Sequence, residues 1–212
     1  MKAKIRGFTL VELAIVMVII GLLLGGILKG QELITNAKVK SLSNDFRSVA
    51  GAYYGYLDRY RAVAGDDKDV VAHVGGTLAT VSTGAVGDGR IDGWWNSTTT
   101  TNESMLFWQH VRLGNLLTGS TTVVAGYGPV NAAGGLIGIT GTNPDTAAGF
   151  AGTFYVCSNN IDGKSAKQLD NMLDDGNGST GSMRAFAAGS SAASASVAAP
   201  VDATLYAVCV AY

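Results

Sequence analysis

The chain has 212 residues, a net charge of −1 and only 15% charged residues. It lacks the basic surface that nucleic-acid binding needs, and its length allows one membrane segment plus one globular head with its own core. Its 29 glycines point to short strands and polar loops rather than a helical enzyme core, and its two cysteines, without a CxxC or a Cys/His cluster, argue against zinc.

Lys2, Lys4 and Arg6 precede Gly7, and an apolar run then extends from Phe8 to Leu28, broken by Glu12. A helix over that run spans about 30 Å, the hydrocarbon thickness of a bilayer. The positive charges ahead of it predict a cytoplasmic N-terminus with the rest of the chain outside. An ordinary secretory signal places its small cleavage residue after the apolar stretch; here Gly7 comes before it, so cleavage there would leave the membrane segment in the mature protein. Glu12 is the anomaly, because a carboxylate in an apolar span costs roughly 2.5–3.5 kcal/mol on insertion scales. Two local readings stand beside an intermolecular one: an acid favoured by the helix macrodipole, and a pair with the amine of Phe8, one turn away.

The run K-I-R-G-F-T-L-V-E (Lys4–Glu12) resembles the leader and processing site of type IV prepilins and of the pseudopilins of type II secretion. The resemblance implies a leader of residues 1–7, removed by a prepilin peptidase that cuts after Gly7 and methylates Phe8. It also implies a role for Glu12 in assembly, paired with the new N-terminal amine of a neighbouring subunit. The partners so implied are identical or related pilin subunits, the peptidase and the inner membrane. The precursor would sit in that membrane, and the product in an extracellular pilus or a periplasmic pseudopilus.

An amphipathic stretch follows the apolar run without a proline. Ile34, Ala37, Leu42, Phe46, Val49, Tyr53, Tyr56 or Leu57, and Tyr60 recur at steps near three and four, which predicts one helix from about Phe8 to Tyr60, near 80 Å long if straight. Gly21, Gly25, Gly26 and Gly30 fall at i,i+4 spacing and suit either close helix packing in lipid or local loosening. The expected division is therefore a leader over 1–7, a transmembrane assembly helix over 8–33, and a head over 34–212 that includes the amphipathic helix 34–61.

Farther on, short strands are expected at His73–Val74 and Leu78–Val81. A second helix is expected to start from a Thr100/Glu103 capping box and to end before Gly119. Strands are then predicted at Thr121–Ala125, Leu136–Thr140, Thr153–Cys157, Met183–Ala187 and Leu205–Val210, with a short helix at Ala166–Leu173 behind Ser165 and Gln168. Residues 189–200 read as a mobile, low-complexity surface loop. Strands after a helix give an α+β, pilin-like fold, with the long N-terminal helix laid on an antiparallel sheet. Four head segments, Tyr56–Asp67, Gly87–Trp95, Glu103–His110 and Leu173–Ala185, also resemble larger bacterial prepilin-type proteins. For an exported chain a Cys157–Cys209 disulfide is the default, as the pilin resemblance also implies; two buried free thiols are the alternative.

No motif indicates an enzyme: there is no G-x-S-x-G elbow and no P-loop, and His73 and His110 lack partners at metal-ligand spacing. Asp88, Asp92 and Gly93 echo three positions of a calcium loop, but Arg90 and Thr99 stand where ligands belong, which excludes an EF-hand. A looser calcium site at Asp88 and Asp92, with Asp66 or Asp67, is implied by likeness to pseudopilins; the alternative is a Gly/Asp turn without an ion. Asp174-Asp175-Gly176 presents the same choice. The function expected is a structural subunit of a type IV pilus-like filament. The alternatives are a pseudopilin, or a membrane-anchored exported binding protein that does not polymerise.

Overall fold

The computed structural model describes residues 9–80 and 85–212. It divides into two compact units, residues 1–37 and 38–212, where the sequence suggested a boundary at 33 and 34. Helix α1 runs unbroken from Leu10 to Tyr60 and supplies the described structure of the first unit. With no second element among the described residues of that unit, every Leu, Ile, Val and Met from Leu10 to Ile34 is exposed, the least being Ile20 at 45%.

In the second unit α1 buries Val39, Leu42, Phe46, Val49, Tyr53 and Tyr56, at steps of three and four that place them on one face. The buried face thus begins at Val39; Ile34, expected on it, is 65% exposed. This stripe packs into one core with Ile137, Ile139, Phe154, Val156 and Val208, and the Tyr53 and Phe154 rings stack at 3.9 Å. Each such fully buried side chain contributes roughly 1.5–3 kcal/mol.

Two short helices precede the sheet. α2 (Val70–His73) forms where a strand was expected, because the Asp69 carbonyl accepts the Ala72 and His73 N–H groups and closes a turn. No strand forms at Leu78–Thr80, and Val81 lies outside the described residues. α3 (Glu103–Leu113) starts after Asn102 without a side-chain cap. The expected Thr100/Glu103 capping box does not form, because the Glu103 carboxylate accepts the Asp92 N–H instead, at 2.7 Å. The chain leaves α3 through Gly114 and Asn115, the latter at positive φ.

Four antiparallel strands follow: β1 (Ile137–Thr140), β2 (Tyr155–Asp162), β3 (Met183–Ala187) and β4 (Leu205–Ala211), in spatial order β1-β2-β4-β3. Thr121–Ala125, read as a strand, is irregular chain that leads into a turn at Ala125, with no strand beside it among the described residues, and Val124 is 56% exposed. α4 (Gly163–Leu173) connects β2 toward β3. Its cap is Asp162, whose carboxylate accepts both the N–H and the hydroxyl of Ser165; Ser165 itself is inside the helix. The sheet alternates as a pleat requires: Val156 and Val208 face the α1 core, while Tyr155, Cys157, Ala207 and Cys209 face a second cluster with Trp95, Phe150 and Phe186. Gly138 sits beneath Trp95, where a Cβ would lie 1.8 Å from the Trp95 carbonyl oxygen.

The low-complexity segment 189–200 is a largely exposed surface loop with several backbone tethers. Ser194 exchanges backbone hydrogen bonds with Pro144 and Thr146, Val197 donates to Ala185, and the Ser190 carbonyl accepts from the Trp94 indole.

Candidate functional site

Gly7 and Phe8, the expected processing residues, lie outside the described residues. Immediately after them, Thr9 and Glu12 bond reciprocally. The Glu12 carboxylate accepts the Thr9 N–H at 2.8 Å and the Thr9 hydroxyl at 2.9 Å, and the Thr9 hydroxyl accepts the Glu12 N–H at 3.2 Å. This is a capping box at the start of α1. The signal, Thr and Glu three residues apart ahead of an apolar run, stood in the sequence but was not read. Glu12 therefore has a local partner within its own chain, while the apolar helix that follows has no cover among the described residues.

That helix is long and apolar enough to cross a membrane. A Cβ added at Gly21, Gly25, Gly26 or Gly30 would meet nothing within 4 Å. Nothing among the described residues of the chain itself explains these glycines.

In the head, several polar residues beyond Tyr60 are buried and held by hydrogen bonds. Asp66, 2% exposed, accepts the N–H groups of Gly87 and Gly89. Asp67 accepts the Tyr56 hydroxyl at 2.7 Å and the Asp69 N–H at 2.9 Å, and pairs with His73 Nδ1 at 2.7 Å. Burial alone would raise the Asp67 carboxyl, but these contacts hold it below its ordinary value. His110 is fully buried: Nδ1 accepts the Gly65 N–H and Nε2 donates to the Thr77 carbonyl, so both nitrogens serve the fold. Burial pushes its pKa down, which matches the neutral ring those bonds require. Glu103, 1% exposed, is the strained member. Burial first, then the charges of Asp66 and Asp92 against the Asp92 N–H, push its carboxyl up to about 8.

Asp88 is exposed and accepts the Arg90 N–H in a local turn. Asp92 lies near enough that burial and then the charge of Asp88 raise its carboxyl, with Arg90 opposing. The amides of this loop converge on the Asp66 carboxylate. They are donors, whereas calcium needs oxygen acceptors. Among the described residues, the acids that gather three carboxylate oxygens within 4.8 Å are instead Asp170, Asp174 and Asp175. The sequence had flagged Asp174 and Asp175 but not Asp170, one helical turn before Asp174.

Cys157 and Cys209 face each other in the β2–β4 register and form a disulfide. Trp95 and Trp108 fill cores, and the guanidinium of Arg112 lies 4.4 Å above the Tyr127 ring. Residues 2–28 match the prokaryotic N-terminal methylation motif. No curated protein and no solved structure matches the chain.

Proposed function

Because residues 2–28 carry the signature of type IV prepilins and pseudopilins, we propose that this chain is a structural subunit of a type IV pilus-like filament. In this reading a prepilin peptidase cuts after Gly7 and methylates Phe8. The precursor waits in the inner membrane through the apolar part of α1, and the mature subunit joins an extracellular filament of identical or related subunits. The observation that carries this is the exposure of every Leu, Ile, Val and Met from Leu10 to Leu28, a stretch whose one acid is Glu12. A surface of that kind is covered first by lipid and then by other helices, and its small residues let those helices approach closely. The disulfide inside the C-terminal sheet favours a pilus subunit over a secretion pseudopilus.

The capping box defines the decisive variant. Gln caps as Glu does, so Glu12→Gln keeps the helix start while removing the charge. Expected outcomes are a mature N-terminus at methylated Phe8 by mass spectrometry, normal membrane insertion of Glu12→Gln, and loss of its filaments by electron microscopy. Wild-type filament yield from Glu12→Gln would reduce Glu12 to a helix cap. A mature terminus beyond the apolar span would remove the filament reading altogether.

A further inference from the structure

The C-terminal turn of α4 and the loop behind it carry an unbalanced group of acids. One carboxylate oxygen from each of Asp170, Asp174 and Asp175 lies within 4.8 Å of the others, and none of the three is in an ion pair with any described residue. The nearby cations are engaged elsewhere: Arg184 with Asp145 at 2.7 Å and Lys167 with Asp202 at 2.6 Å. The C-terminal end of a helix adds partial negative charge to the same place.

Proximity of acids on a surface is common and needs no ion. Asp170 is different. It is 2% exposed, and its Oδ1 is buried without a hydrogen-bond partner. A buried carboxylate oxygen left unmatched carries a desolvation penalty of a few kcal/mol, so native structures nearly always give it a partner. The Gly176 N–H is hydrogen-bonded to the Asp170 carboxylate, but no donor reaches Oδ1, and the side chains gathered beside it are two further carboxylates.

The two outer acids are held in place by the loop. Asp174 accepts the Met183 N–H at 2.8 Å, and Asp175 accepts the Asn177 N–H at 2.9 Å and the Thr180 hydroxyl. Gly181, at positive φ, leaves the room that the Asp174 carboxylate occupies; a Cβ there would come within 2.0 Å of its oxygen. The two outer carboxylates are thus fixed by the chain itself, as a preorganised ligand set would be.

We propose that Asp170, Asp174 and Asp175 form a binding site for a hard divalent cation, calcium, at the junction of α4 and β3. Calcium takes six to eight oxygens in flexible geometry and accepts carboxylates, carbonyls and water together. It would supply the partner that Asp170 Oδ1 lacks and would lock the end of α4 to the start of β3. Without a cation, burial and the charges of Asp174 and Asp175 push Asp170 up to about 6, so a proton is the competitor and binding weakens as pH falls below that value.

The test uses the full-length protein in detergent micelles at pH 7.5. Calcium binding is followed by calorimetry, and thermal midpoints are compared in calcium, in magnesium and in chelator. Wild-type protein should bind calcium and melt higher with it than with chelator, by mass action on the folded state. Asp175→Asn, at an exposed position, should fold normally and bind about tenfold or more weakly, having lost one charged ligand. Asp170→Asn should melt at or above wild type in chelator, because the uncompensated charge is gone, and should ignore calcium. Asp92→Asn should respond like wild type. A wild-type midpoint and heat signal indifferent to calcium would overturn the proposal, leaving Asp170 a buried acid with no bound cation. So would Asp175→Asn and Asp170→Asn variants that bind as wild type does, or a response abolished by Asp92→Asn.

Discussion

Arg184 on β3 reaches the Asp145 carboxylate at 2.7 Å with both side chains almost wholly out of solvent, at 4% and 0% exposure. The same guanidinium contacts the Ala148 carbonyl and lies 5.0 Å over the Phe150 ring, and Asp145 also accepts the Ala147 N–H. Burial disfavours the charged carboxylate, but hydrogen bonds from Ser196, Arg184 and Ala147 and the charge of Arg184 outweigh it and lower its pKa. This pair therefore ties the 141–150 loop and the low-complexity segment to the edge of the sheet.

Removing one member leaves the other buried and unpaired. Asp145→Ala is expected to destabilise the head by about 3–5 kcal/mol, measured by denaturant unfolding of the full-length protein in detergent. The double variant Asp145→Ala/Arg184→Met should recover much of that loss. Equal losses in the single and double variants would show that the loop packing, not the charge, matters.

Glu103 makes stability depend on alkaline pH. Its folded pKa of about 8 lies above the ordinary carboxyl value, so the folded state holds a proton that the unfolded state has released. Stability from this group is full below the unfolded value and is lost as pH rises through about 8. Unfolding midpoints should fall between pH 6 and pH 9 in wild type and change little in Glu103→Gln, which keeps the acceptor for the Asp92 N–H. Parallel curves for the two proteins would refute the assignment.

Gly65 has φ of +92° and lies where a Cβ would come 2.4 Å from the Glu103 carbonyl oxygen. Its N–H also donates to His110. Gly65→Ala is expected to cost about 3 kcal/mol through backbone strain and displacement of α3, seen as a lowered thermal midpoint. Gly75→Ala is the control, since it shares positive φ but has open space around it; its loss should be smaller.

The disulfide closes a separation of 52 residues. Cys157→Ser/Cys209→Ser is expected to lose about 4 kcal/mol in the chain-entropy model. Denaturation with and without reductant should show that difference in wild type and none in the double variant.

Much of this was readable because period and end signals are local. The steps from Leu42 to Tyr56 reported which face of α1 is covered, and β1, β3 and β4 lie within a residue of their expected positions, whereas β2 runs on to Asp162, five residues past its expected end. What failed depended on distant partners. Glu103 reads as a capping residue, but its carboxylate was drawn to an amide eleven positions back. Val124 reads as a strand residue, but no strand lies beside it to pair with. Ile34 fits the apolar stripe, yet coverage begins only at Val39. The site divided in the same way: Gly7, Phe8 and Glu12 are a contiguous motif, whereas the burial of Asp170 depends on how α4 lies against the sheet, which no spacing reveals.

The order β1-β2-β4-β3 places the last strand of the chain between two that are made before it. β3 has no neighbour in the sheet other than β4, and β2 has only the four-residue β1 on its other side. Until Leu205–Ala211 emerges, the sheet stays split into two pieces with unpaired edges, and Cys157 has nothing to oxidise with. Closure of the disulfide therefore marks the moment at which β4 has taken its place between β2 and β3.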